Sequence, residues 1–169
     1  MDIRILFLAL HVLGGVTGLI LGIWSLKPPT AGDGRSLIRG GYVAAVVVLV
    51  AFLYALLVVD WPTFEATQQV AFGALAILAA VIVARVWLGF RALRDASAGS
   101  RERYMDHLYF GYISLWEGFF IVGLIDLGAP GWLVAAIAVG LVILGCRMFG
   151  AYKRGVLAEA PRPAQGFVT

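Results

Sequence analysis

The chain has 169 residues, 62% of them hydrophobic and only 14% charged, and its mean hydropathy is +0.93. Soluble domains run about 45–50% apolar and about 25% charged, so a water-soluble fold of this length has nowhere to hide so much apolar surface, whereas a bilayer accepts it as solvent. The net charge of +3 is no argument for nucleic-acid binding, because the basic residues gather at the ends of apolar runs, where membrane topology accounts for them.

Five apolar runs follow one another. The first, Ile3 to Leu26, is too long for a signal-peptide core and lacks a basic leader. Lys27-Pro28-Pro29 stops it, and Thr30-Ala31-Gly32-Asp33-Gly34 predicts a turn. The second runs over 37–59 and closes at Asp60-Trp61-Pro62; the third covers 67–90. A polar stretch from Arg91 to Asp106 reads as a connection, and the fourth span covers 107–127. Gly128-Ala129-Pro130-Gly131 predicts a tight turn before the fifth span, 132–152, and residues 153–169 read as a mobile tail. Each run is long enough, at about 1.5 Å per residue, to cross about 30 Å of hydrocarbon. The expected fold is an all-α integral membrane protein, a five-transmembrane-helix bundle in one domain.

Orientation follows from Lys and Arg placement. Lys27, Arg35 and Arg39 flank the first connection; Arg91, Arg94, Arg101 and Arg103 occupy the third; Arg147, Lys153, Arg154 and Arg162 lie toward the C-terminus. The second and fourth connections hold Asp60, Glu65 and Asp126 and no basic residue. The positive-inside rule then puts the N-terminus outside and the C-terminus in the cytoplasm, in a bacterial inner membrane. Arg4 opposes the pattern and is balanced by Asp2. Trp24 and Trp87 fall near one interface, Trp61 and Trp132 near the other.

Small residues mark packing faces. Gly14, Gly18 and Gly22, with Gly15 beside them, have the spacing that lets a second backbone approach, and His11 shares their face. Gly111, Ser114 and Gly118 form a comparable stripe on span four, so spans one and four are expected to pack together. Glu117 borders that stripe near mid-depth, where a carboxylate costs several kcal/mol unless paired or protonated. His11 lies at a comparable depth. Arg85, Tyr54, Tyr112 and Ser114 are candidates to complete a polar cluster, read either as a proton-linked or ligand-binding site or as an interhelical clamp.

A haem bridged by two histidines does not fit, because His11 and His107 differ in depth by about 20 Å by helix rise. No cluster offers three metal ligands at suitable spacing, and no nucleophilic triad or phosphate loop is present. Cys146 stands alone inside an apolar run.

His11-Val12-Leu13-Gly14-Gly15 followed by Gly22, then Phe90-Arg91-Ala92-Leu93-Arg94, His107 with Gly111-Tyr112-Ile113, and Pro130-Gly131-Trp132 run in an order that resembles small bacterial membrane proteins of the domain of unknown function 2306 type. The resemblance implies architecture and no activity. Two departures bear on histidine chemistry: Arg39-Gly40-Gly41-Tyr42 stands where that family has a histidine opening span two, and Met105 precedes His107. The functional expectation is a non-catalytic subunit or scaffold with a membrane-protein partner or a second copy of itself. The alternative is a protein that binds or transports a small hydrophobic ligand, a quinone or lipid, linked to protons through Glu117 and His11.

Overall fold

The computed structural model describes residues 2–28, 34–95, 97 and 99–158, apart from the Asp126 side chain. They form α1 (Ile3–Ser25), α2 (Ser36–Asp60), α3 (Ala66–Arg94), α4 (Ser100–Asp126) and α5 (Gly131–Ala158), with one 3-10 turn at Trp61–Thr63 and no strand among the described residues. All five helices are long and apolar enough to cross a membrane.

Local chemistry sets the ends. Asp2 caps α1, its carboxylate accepting from the Arg4 backbone N–H at 3.0 Å. Glu65 and Gln68 form a reciprocal capping box at the start of α3. At the end of α4, Gly128 takes the left-handed conformation at φ 73°. Its N–H bonds to Ile125 O and that of Ala129 to Leu124 O, the double closure for which glycine is favoured, and Pro130 then opens the path to α5. The tight turn expected there is present; of the helix stop and turn expected after α1, residues 29–33 lie outside the described residues.

Three boundaries differ from the hydropathy reading for one reason. Polar side chains end a membrane run without ending a helix, because Arg, Glu, Lys and Met favour helical backbone. So α3 continues through Arg91 to Arg94, and α4 begins at Ser100 rather than at His107, which lies about two turns inside it. Likewise α5 runs past Tyr152 to Ala158, so the first residues of the expected tail are helical; 159–169 lie outside the described residues.

Neighbouring helices run antiparallel. The α1–α2 hairpin is the closest pair, with Gly14 against the backbone of Ala45 and Leu49, Phe7 against Phe52, and Arg4 against Asp60. Next, α3 packs on α4 through Gly89 against Leu108 and Phe90 against Tyr104. The two pairs share a core of Tyr42, Val46, Ile82, Val86, Tyr104, Met105 and Leu108. On α4 the buried side chains stop at Leu115, so its last three turns leave the core. The fifth helix packs on α4 and has no buried residue.

The expected pairing of spans one and four needs correcting in its details. Gly18 and Gly22 do meet Leu115 and Tyr112 of α4, but Gly14 and Gly15 face α2, which is the main partner of α1. A side chain at Gly111 would first meet Val86, the Tyr42 hydroxyl and Ile82, of α3 and α2, and Gly118 has open space where a side chain would be. The reason is geometric: a short connection delivers α2 to α1 first, and α4 is left the C-terminal half of the glycine face.

Candidate functional site

The polar residues expected to converge are distributed over several contacts. Close approach at Gly14 carries His11 onto α2, where its Nδ1 lies 2.9 Å from Leu49 O. A carbonyl only accepts, so Nδ1 is the donor. Arg85 turns to α4, its Nη1 at 3.3 Å from His107 Nδ1 and its guanidinium 4.9 Å from the centre of the Phe110 ring. A guanidinium only donates, so here Nδ1 accepts and the ring proton rests on Nε2. Thus Nδ1 donates in His11 and accepts in His107, each within a separate helix pair. Tyr54 donates to Ala76 O at 2.8 Å and ties α2 to α3. Ser114 is buried, and the Tyr112 ring fills the notch left by Gly22.

Glu117 sits just beyond the point where α4 leaves the core. It is partly buried, flanked by Trp116, Phe119 and Phe120, whose rings contact one another, and no hydrogen bond or ion pair to its carboxyl is found among the described residues. No hydrogen bond joins it to His11 or to Arg85.

A buried polar layer lies elsewhere, toward the arginine-rich end of the bundle. Tyr104, fully buried, donates to Ser25 O at 2.7 Å, which satisfies a carbonyl at the end of α1, and Ser25 in turn donates to Leu21 O at 2.9 Å. Tyr42 is 1% exposed and its hydroxyl makes no hydrogen bond among the described residues. Arg39, also buried, donates to Lys27 O at 3.4 Å. This layer was missed in the sequence because its residues look interfacial when each helix is read alone. The one available signal was Arg39 recurring with Tyr42 at helical spacing inside an otherwise apolar run.

Among successive helices, α2 and α3 touch least. Tyr54 pins them at one end, and α4 occupies the space on their inner side around Gly111. What remains at the other end is a groove of about 590 Å³. Val43, Val46, Val47, Val83, Val86 and Phe90 make its walls; Ser36, Arg39 and Arg94 lie at one end, with Trp87 alongside. Arg91, 5.4 Å from the centre of the Trp87 ring, lies on the adjoining rim with Arg94 and one carboxylate, Asp95. The volume is within the about 300–1,000 Å³ typical of small-molecule sites, which are mostly apolar with a few placed polar groups. Chemically the arrangement suits an elongated apolar molecule with a polar or anionic end. Among the described residues no group of three His, Cys, Asp or Glu could hold a metal ion.

No protein-family model, curated protein or solved structure matches the chain.

Proposed function

We propose that this is a non-catalytic membrane protein that holds a small hydrophobic ligand, a lipid or quinone, between α2 and α3. The observation carrying this reading is the groove itself: apolar walls from two loosely joined helices and a polar group confined to one end. In a bilayer such a groove is filled by an acyl or isoprenoid chain, because hydrocarbon is the surrounding solvent. Glu117 and His11 take no part in it; His11 is engaged with α2, and a proton-linked role for Glu117 is separate from ligand retention.

The reading is tested by filling the groove. Val47 is 49% exposed and lines it, so Val47→Trp occupies space without displacing the core. Purified gently and examined by native mass spectrometry, the unaltered protein is expected to retain a defined lipid or quinone and Val47→Trp to lose it, with unchanged thermal unfolding. An identical set of bound molecules in both proteins would overturn the proposal.

A second reading, a subunit or scaffold within a larger membrane assembly, draws support from a different observation. The fifth helix packs chiefly on α4 and buries no residue of its own. A helix with so much of its surface left outside the core can serve a membrane-protein partner or a second copy of the chain.

A further inference from the structure

The two ends of the groove differ in chemistry, and its length has a counterpart in the bilayer. On α2 it extends from Ser36 to Val47, and on α3 from Arg94 back to Val83. Eleven residue steps of helix on each side amount to about 17 Å at about 1.5 Å per residue. Half of a hydrocarbon core of about 30 Å is about 15 Å, so the groove has the depth of one leaflet. Its cationic residues lie at the end where the helices finish, and its valines at the end near mid-depth.

We propose, resting on the ligand-binding reading above, that the occupant is an anionic phospholipid taken from one leaflet. Its phosphate meets Arg39 and Arg94 while one acyl chain lies along the valine walls. A guanidinium presents a fork of donors that matches phosphate oxygens in pairs, and two of them at one mouth favour a net negative headgroup over a zwitterion. Arg94 is exposed in the last turn of α3, and Arg39, buried with its Nη2 bonded to Lys27 O, lines the same end from the first turn of α2. Trp87 on the rim suits the boundary between headgroup and chain, where indole rings are favoured. A neutral quinone head would make no use of the two charges.

The proposal is tested on the full chain in nanodiscs of phosphatidylcholine, alone or with added phosphatidylglycerol, followed by native mass spectrometry of the released protein. The unaltered protein is expected to retain phosphatidylglycerol in preference to phosphatidylcholine. Arg94→Gln, a change on an exposed side chain, should reduce that preference about fivefold, the value of roughly one basic residue at an anionic surface. Because Arg39→Gln removes a buried group and risks the fold, Arg39→Lys serves beside it: it keeps the charge, loses the paired donors, and should give a smaller loss of preference. Val47→Trp should release both lipids. If Val47→Trp releases both but the unaltered protein holds them equally, the ligand-binding reading stands and the anionic-headgroup inference is overturned. If Val47→Trp changes nothing, the groove is not the site and both fail. If inorganic phosphate displaces phosphatidylglycerol at equal concentration, the arginines serve a free anion and the lipid assignment is overturned.

Discussion

At the scale of single residues, the glycines of this chain divide by what surrounds them. A Cβ added at Gly14 would stand 2.8 Å from Leu49 N and 3.0 Å from Ala45 O, both backbone atoms of α2 that no rotamer change can move. Gly14→Ala is therefore expected to push the α1–α2 hairpin apart, carry His11 away from Leu49 O, and lower stability by about 1–3 kcal/mol, the usual cost of overpacking, despite the better helix propensity of alanine. Gly118, equally prominent in the sequence, has nothing within 4 Å of an added Cβ, and Gly118→Ala should leave stability within about 0.5 kcal/mol. Thermal unfolding of both variants in one detergent checks the pair; equal losses would mean that the glycines act through backbone flexibility rather than contact. The sequence shows that a small-residue face exists but not which helix covers it. The same indeterminacy separated His11, Glu117 and Arg85 into different surroundings. Depth along a helix can be counted from the residues, but the azimuth toward a neighbour is decided only once the neighbours are known.

At the scale of helices, five apolar runs were legible because hydropathy over about 20 residues is a strong signal. Their polar extensions were not, because a scale that rewards apolarity cannot distinguish a charged helical turn from a loop. The consequence is visible where α4 meets α5. Glu102 and Asp106 are one turn apart and share a face, and Lys153 reaches both, its Nζ 2.9 Å from Glu102 and 2.7 Å from Asp106. Read as loop and tail, these three residues seemed unrelated. Together with Tyr109, which donates to Gly145 O at 2.9 Å and stacks on Phe149, they hold this end of α5 against α4. The carboxylates are about half exposed, so water screens the ion pairs, and Lys153→Met should cost no more than about 1 kcal/mol overall. The effect should be local: faster backbone hydrogen exchange over 150–158, with little change in α1–α3, and a difference between variant and parent that narrows as salt is added. Uniform acceleration along the chain would show instead that Lys153 supports the whole bundle.

At the scale of the whole molecule, the bundle is a four-helix core with a fifth helix at its side. Buried side chains come from α1 to α4 and concentrate toward the arginine-rich ends, while α5 contributes none. The sequence could not show this inequality, since all five runs are comparably long and apolar. In water, removing an outer helix would expose its apolar contact surface at a large hydrophobic cost. In a bilayer, lipid chains replace the helix at the Tyr109 and Ile113 contacts, and what is lost is dispersion contact, the Tyr109 hydrogen bond and the Lys153 ion pairs. A chain ending at Pro130 should therefore still insert, keep the helical circular dichroism of four spans, and unfold cooperatively at a midpoint only slightly below that of the parent. It should also retain whatever occupies the α2–α3 groove, because α5 lines no part of it. If the scaffold reading holds, the same truncation frees the protein from any partner recovered with the full chain from native membranes. Ligand retained and partner lost would assign the two functions to opposite sides of α4. A truncated chain that fails to insert or melts without cooperativity would show that α5 belongs to the folding unit despite burying nothing.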